Sequence, residues 1–134
     1  MTGVPAVDVV DETFLAVPPS MVAAVFADPV NWPRFWPDLR LSLYADRGAE
    51  GLRWTVRGGL VGTMEVWLEP VLDGTLVHYF LRADPVEPFR RPRDRVAAVR
   101  RRHLAAKAIA FGLKSSLERG REPGLPPEEG PAAP

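Results

Sequence analysis

The sequence predicts an α+β domain in which a curved antiparallel sheet of about five strands wraps around one long C-terminal helix. Three observations carry this. Between Leu39 and Leu81, short segments of period-two alternation follow one another across tight turn signals. From Asp94 to Arg119 there is no proline, and apolar residues recur at alternating steps of three and four. Only short helical segments precede the strand run, so the apolar face of the sheet has one long helix to bury against.

Residues 6–17 alternate apolar positions at Val7, Val9, Thr13, Leu15 and Val17, and Asp8, Asp11 and Glu12 mark the strand as an edge. Pro18-Pro19 ends it. A short helix follows, capped by Ser20 or opened by Pro19, with Met21, Val22, Val25 and Phe26 at helical spacing. Asp28-Pro29 breaks it. The stretch Asn31-Trp32-Pro33-Arg34-Phe35-Trp36-Pro37 predicts a single helical turn or a tight loop, because each proline restricts the residue before it. Its three aromatics must bury against something.

The meander then reads Leu39/Leu41/Leu43, Leu52/Trp54/Val56, Met64/Val66/Leu68 and Val77/Tyr79/Leu81. The turns fall at Asp46-Arg47-Gly48, Gly58-Gly59 and Leu72-Asp73-Gly74. Gly62 within its strand suggests a bulge or bend. In the final helix, Asp94 is the expected N-cap and Gly120 the stop. Val96, Val99, His103, Ala106, Ala110, Leu113 and Leu117 form one face. The folded domain is expected over residues 5–120. Residues 121–134, with five prolines and two glycines, are expected to be a disordered tail.

The 134 residues, 46% hydrophobic and 25% charged, suffice for one domain with a core of its own. With no cysteine, disulfides, thiolate catalysis and cysteine-ligated metals are excluded. The first residues carry neither a basic nor an apolar leader region, and no apolar run is long enough to span a bilayer, so a cytoplasmic protein is expected. Charge is balanced overall but divided. Residues 1–89 hold 6 basic and 12 acidic side chains, whereas residues 90–121 hold 11 basic and 2 acidic ones.

Three pieces together resemble the START-like (SRPBCC) superfamily, in particular its polyketide cyclase/dehydrase branch. One is Leu15-Ala16-Val17-Pro18-Pro19-Ser20-Met21-Val22, followed by Phe26-Ala27-Asp28-Pro29 and Trp32-Pro33-Arg34-Phe35-Trp36. Another is Gly62 to Pro70 leading into Asp73 to Tyr79. The last is the long final helix. The resemblance spans roughly residues 6–119 and implies a helix-grip fold with a cavity between sheet and helix. Members bind lipids, sterols, polyketides or quinones, and some are aromatase/cyclases. Five strands are fewer than the family's usual six or seven, which implies a shallower or more open cavity, or one completed by a second protomer.

Trp36, Trp54, Met64 and Tyr79 are the expected cavity lining. Val66 and Leu81 share the strand parity of Met64 and Tyr79, and Ala106 and Ala110 lie on the helix stripe. The same residues also suit a plain core. His103 on the stripe reads either as a general acid/base facing the cavity or as a stripe-edge histidine bonded to a backbone carbonyl. If Tyr79 faces inward, His78 faces outward. Two isolated histidines make no metal site, Glu65 and Glu69 read as solvated outer-face residues, and no phosphate loop or nucleophile elbow is present.

The run Arg90, Arg91, Arg93, Arg95, Arg100, Arg101 and Arg102 reads as a solvated helix start, or as a contact with a membrane surface or a carboxylated ligand at the cavity mouth. Without interleaved aromatics, nucleic acid ranks below these. The leading expectation is a carrier of a hydrophobic small molecule, monomeric or homodimeric and without a cofactor. The alternatives are a cyclase/dehydratase-type enzyme using His103, and a partner- or membrane-binding protein using the arginine-rich helix.

Overall fold

In the computed structural model, residues 3–119 are described. Gly120 and the expected tail at 121–134 lie outside them. The elements run β1 (Val7–Leu15), α1 (Pro19–Ala27), α2 (Trp32–Phe35), β2 (Leu39–Asp46), β3 (Gly51–Gly58), β4 (Val61–Val71), β5 (Gly74–Asp84) and α3 (Pro92–Glu118). The strands form one antiparallel sheet in the order β1-β5-β4-β3-β2. Hairpins join β2 through β5, and β1 returns beside β5 as the edge strand that its charges suggest.

Strand parity builds the inner face. Val7, Val9, Leu15, Leu52, Trp54, Val56, Met64, Val66, Leu68, Val77, Tyr79, Leu81 and Ala83 are all buried there. β2 departs from this pattern. A register shift between Leu43 and Ala45 gives Tyr44 no partner on β3, and Leu43 and Tyr44 are exposed. No such shift falls at Gly62, where a Cβ would lie 2.2 Å from the Arg82 carbonyl oxygen. Glycine is there because β5 approaches too closely for a side chain.

α1 opens with Pro19 in its first turn, and Pro18 rather than Ser20 is the cap residue. Val22, Ala23 and Phe26 are buried, whereas Met21 faces outward. Asp28 ends α1, and its carboxylate accepts from the Val30 N–H at 3.1 Å. α3 begins earlier than Asp94. Pro92 occupies its first turn and Asp94 lies inside the helix, its N–H donating to the Arg91 carbonyl at 3.0 Å.

α3 packs chiefly along β1. Lys114 donates to the Phe14 carbonyl at 3.1 Å and to Glu118 at 2.7 Å, and the buried Glu118 carboxylate accepts from the Ala16 N–H at 2.9 Å. These bonds fasten the helix end where β1 stops.

The β4–β5 hairpin closes through Leu72 and Asp73 between the paired Val71 and Gly74. Leu72 sits at φ 54° and is 95% exposed, so it carries left-handed strain without contributing packing. Leu72→Gly is expected to raise stability by ~1 kcal/mol, read as a higher denaturation midpoint with unchanged slope.

Candidate functional site

The aromatics between α1 and β2 form the roof of the inner face. The Trp32 indole donates to the Phe26 carbonyl at 2.7 Å, which fixes the α2 turn against α1. Trp36, 2% exposed, packs 5.5 Å from Phe35, 5.7 Å from Trp54, 6.2 Å from Phe26 and 6.4 Å from Tyr79, centroid to centroid. Trp32 meets Trp54 edge to face at 5.9 Å. The expectation that the loop aromatics bury against something is met, with Trp36 buried and Trp32 and Phe35 partly buried against the core.

Beneath it is a small cavity of about 20 Å³, lined by Trp36, Val66, Tyr79, Ala106 and Ala110 together with Asp11, Thr13, Leu15, Phe26, Val77, Ile109 and Leu113. That is room for roughly one water molecule. Trp54, Met64 and Leu81 are buried on the same face but outside this lining. His103 is half-buried beside the stripe and also outside it. Arg102 takes the stripe position next to the sheet instead. Its guanidinium grips both carboxylate oxygens of Asp38, with Nη1 3.0 Å from Oδ1.

The polar groups on the cavity wall are Tyr79, Asp11 and Thr13. Burial pushes the Tyr79 phenol far above its ordinary value, so it remains a hydrogen-bond donor, directed at the Met64 sulfur at 3.4 Å. Asp11 is Tyr79's partner across the β1–β5 ladder and is only 9% exposed. Its carboxylate lies 3.0 Å from the Lys107 ammonium, which also donates to Thr13 Oγ1 and the Glu12 carbonyl, each at 3.0 Å. Asp11 escaped the sequence reading as an inward residue although it shares the parity of Val7, Val9, Thr13 and Leu15.

Outside the cavity, a groove of about 590 Å³ separates α3 from α1 and α2, lined by Val25, Asn31, Arg34, Phe35, Ala105, Ala108, Ile109, Gly112, Leu113 and Ser116. This lies within the range of small-molecule sites. Ile109 and Leu113 line both spaces and form the wall between them.

On the convex face, His78 stacks on Trp67 at 4.3 Å between Glu12 and Glu69, at 3.2 and 3.1 Å. Tyr79 therefore faces in and His78 out. Glu65 pairs with Arg53 at 2.9 Å. Among the described residues no cluster of His, Asp and Glu suits a metal ion, and no helix is long and apolar enough to cross a membrane.

Arg102 holds the Asp38 carboxyl below its ordinary value. The bond therefore stabilises the fold above the unfolded-state value near 3.8, and that gain is lost as pH falls through the lower folded-state value. Because Asp38 is half exposed, Asp38→Asn is expected to cost only ~1 kcal/mol at pH 7. In denaturation curves the deficit should shrink as pH falls below 3.8 and vanish once the carboxyl is protonated in the folded state as well.

A five-stranded antiparallel sheet closed by a long C-terminal helix, with short helices after the first strand, defines the helix-grip fold. No protein-family model matches the chain, and no curated protein is significantly similar in sequence. Solved structures share the fold. The solution structure of the Aha1 dimer from Colwellia psychrerythraea aligns with a TM-score of 0.63 at 13% identity, over 87% of this chain and 99% of that one. TTHA0849 from Thermus thermophilus gives 0.57 at 15% identity, over 81% and 94%. DR_A0006 from Deinococcus radiodurans gives 0.51 at 20% identity, over 72% and 97%.

Proposed function

We propose that the protein binds a hydrophobic small molecule carrying one polar group, as a cytoplasmic carrier. The apolar body lies in the groove along α3, and the polar group reaches Tyr79 and Asp11 once Ile109 and Leu113 turn aside. The observation that supports this best is the composition of the groove wall on α3. Ala105, Ala108, Gly112 and Ser116 keep it open, and a glycine inside a helix costs ~1 kcal/mol relative to alanine. Burial of the ligand's apolar surface supplies the affinity and the polar pair supplies orientation. A cyclase-type reaction would draw its proton-transfer group from the wall residues Asp11 and Tyr79, since His103 is not among them.

Gly112 provides the test. A Cβ there meets nothing within 4 Å, so Gly112→Leu projects a side chain into the groove from an unhindered Cβ and raises helix propensity. Protein purified without added ligand is analysed by native mass spectrometry and organic extraction, and affinity is titrated with an apolar fluorescent probe. The expected result is a bound apolar compound in the wild type. Gly112→Leu should bind the probe at least tenfold more weakly while melting no lower. Unchanged affinity in that variant would overturn the groove as the site.

A further inference from the structure

We infer that the outward stripe of α3 docks on an anionic lipid bilayer and that the groove opens along this contact. The helix has two apolar stripes. The one facing the sheet runs through Ala98, Ala106, Leu113 and Leu117. On the opposite side, at steps of three and four, stand Arg93, Ala97, Arg100, Leu104, Ala108 and Phe111, all exposed. Leu104 is 59% and Phe111 57% exposed, two turns apart on this same line, with Val96 exposed beside it. Scattered exposed apolar side chains are ordinary. A row of them at helical spacing, continuing a line that begins with two guanidinium groups, is a basic amphipathic surface, the pattern that lies in a bilayer interface.

Charge selects the occupant. Pro92–Glu118 carry seven basic and two acidic residues, and one of the acids, Glu118, is buried against β1. Arg102 and Arg95 are held by Asp38 and the Ala6 carbonyl. Arg90, Arg91, Arg93 and Arg100 are exposed, and no side-chain hydrogen bond or ion pair to another described residue holds their guanidinium groups. An anionic lipid surface satisfies both the cations and the apolar residues, whereas an acidic polymer satisfies the cations alone. Ala108 joins the two features, since it stands on the outward stripe and also lines the groove. A bilayer seated on Leu104 and Phe111 lies beside the groove mouth, where an apolar cargo passes without crossing water.

The test is flotation of the full chain with phosphatidylcholine vesicles, with and without phosphatidylglycerol. The wild type should float with the anionic vesicles, several-fold less with the neutral ones, and progressively less as salt rises. Arg93→Glu/Arg100→Glu and Leu104→Ser/Phe111→Ser, checked for native melting, should each lower binding at least tenfold. Gly112→Leu should float like the wild type, so loss of cargo binding and loss of docking are read separately. Failure of the wild type to float with anionic vesicles at low salt would overturn the inference. So would undiminished flotation of Leu104→Ser/Phe111→Ser, or binding to a DNA duplex as tight as to vesicles and unaffected by that variant.

Discussion

Trp36→Ala is expected to remove about 3–5 kcal/mol of stability, the largest loss from any single side chain on the site's roof. Trp36 touches the rings of Phe26, Phe35, Trp54 and Tyr79 and is 2% exposed. Truncation forfeits the transfer energy of the indole and leaves a void that four rigid rings fill poorly. For a domain of this size the total is about 5–15 kcal/mol, so the variant sits near the edge of folding and its guanidinium midpoint should drop sharply. The void is walled by aromatic rings, and an apolar void of that kind takes up small hydrocarbons. Benzene should therefore restore part of the lost stability in Trp36→Ala and leave the wild type unmoved. A loss under about 1 kcal/mol would mean that the rings do not pack as one unit.

The parts of this site that were legible in sequence are those set by local periodicity. Met64 and Val66, or Tyr79 and Leu81, must share a face because side chains alternate along a strand, and the turn residues fix where each alternation restarts. What depends on a distant partner was not legible. Asp11 keeps the inward parity of β1, yet a carboxylate in such a row reads as an exposed edge. It is buried because Lys107 reaches it from α3. The helix stripe carries a similar ambiguity. Steps from Val99 to His103 to Ala106 and from Val99 to Arg102 to Ala106 both alternate three and four, and periodicity cannot choose between them. Asp38 chooses, because it offers Arg102 a bidentate partner at the end of the sheet. The groove depends on how far α3 stands from α1 and α2, which no pattern within either element encodes.

Lys107→Met is expected to cost about 2–3 kcal/mol at pH 7, below the full penalty for breaking a buried pair because the lysine is partly exposed. The ammonium has three acceptors at 3.0 Å, one for each of its protons. Asp11, by contrast, is left in the variant with the Thr13 hydroxyl, at 3.3 Å, as its one side-chain partner among the described residues. The loss is thus mainly the desolvation of one carboxylate, not the disappearance of one attraction. It follows that Asp11→Leu/Lys107→Met should be close to wild-type stability or above it, and a double-mutant cycle should show coupling of at least ~1.5 kcal/mol. Additive losses would show that the two groups do not depend on each other. If the pair contributes nothing net to stability, its place on the cavity wall across from Tyr79 needs another reason, and polar recognition of the ligand supplies one. The double variant should then bind a purely aliphatic probe as well as the wild type does. For a probe of equal length ending in a hydroxyl, it should lose about tenfold, the worth of one hydrogen bond to a charged group.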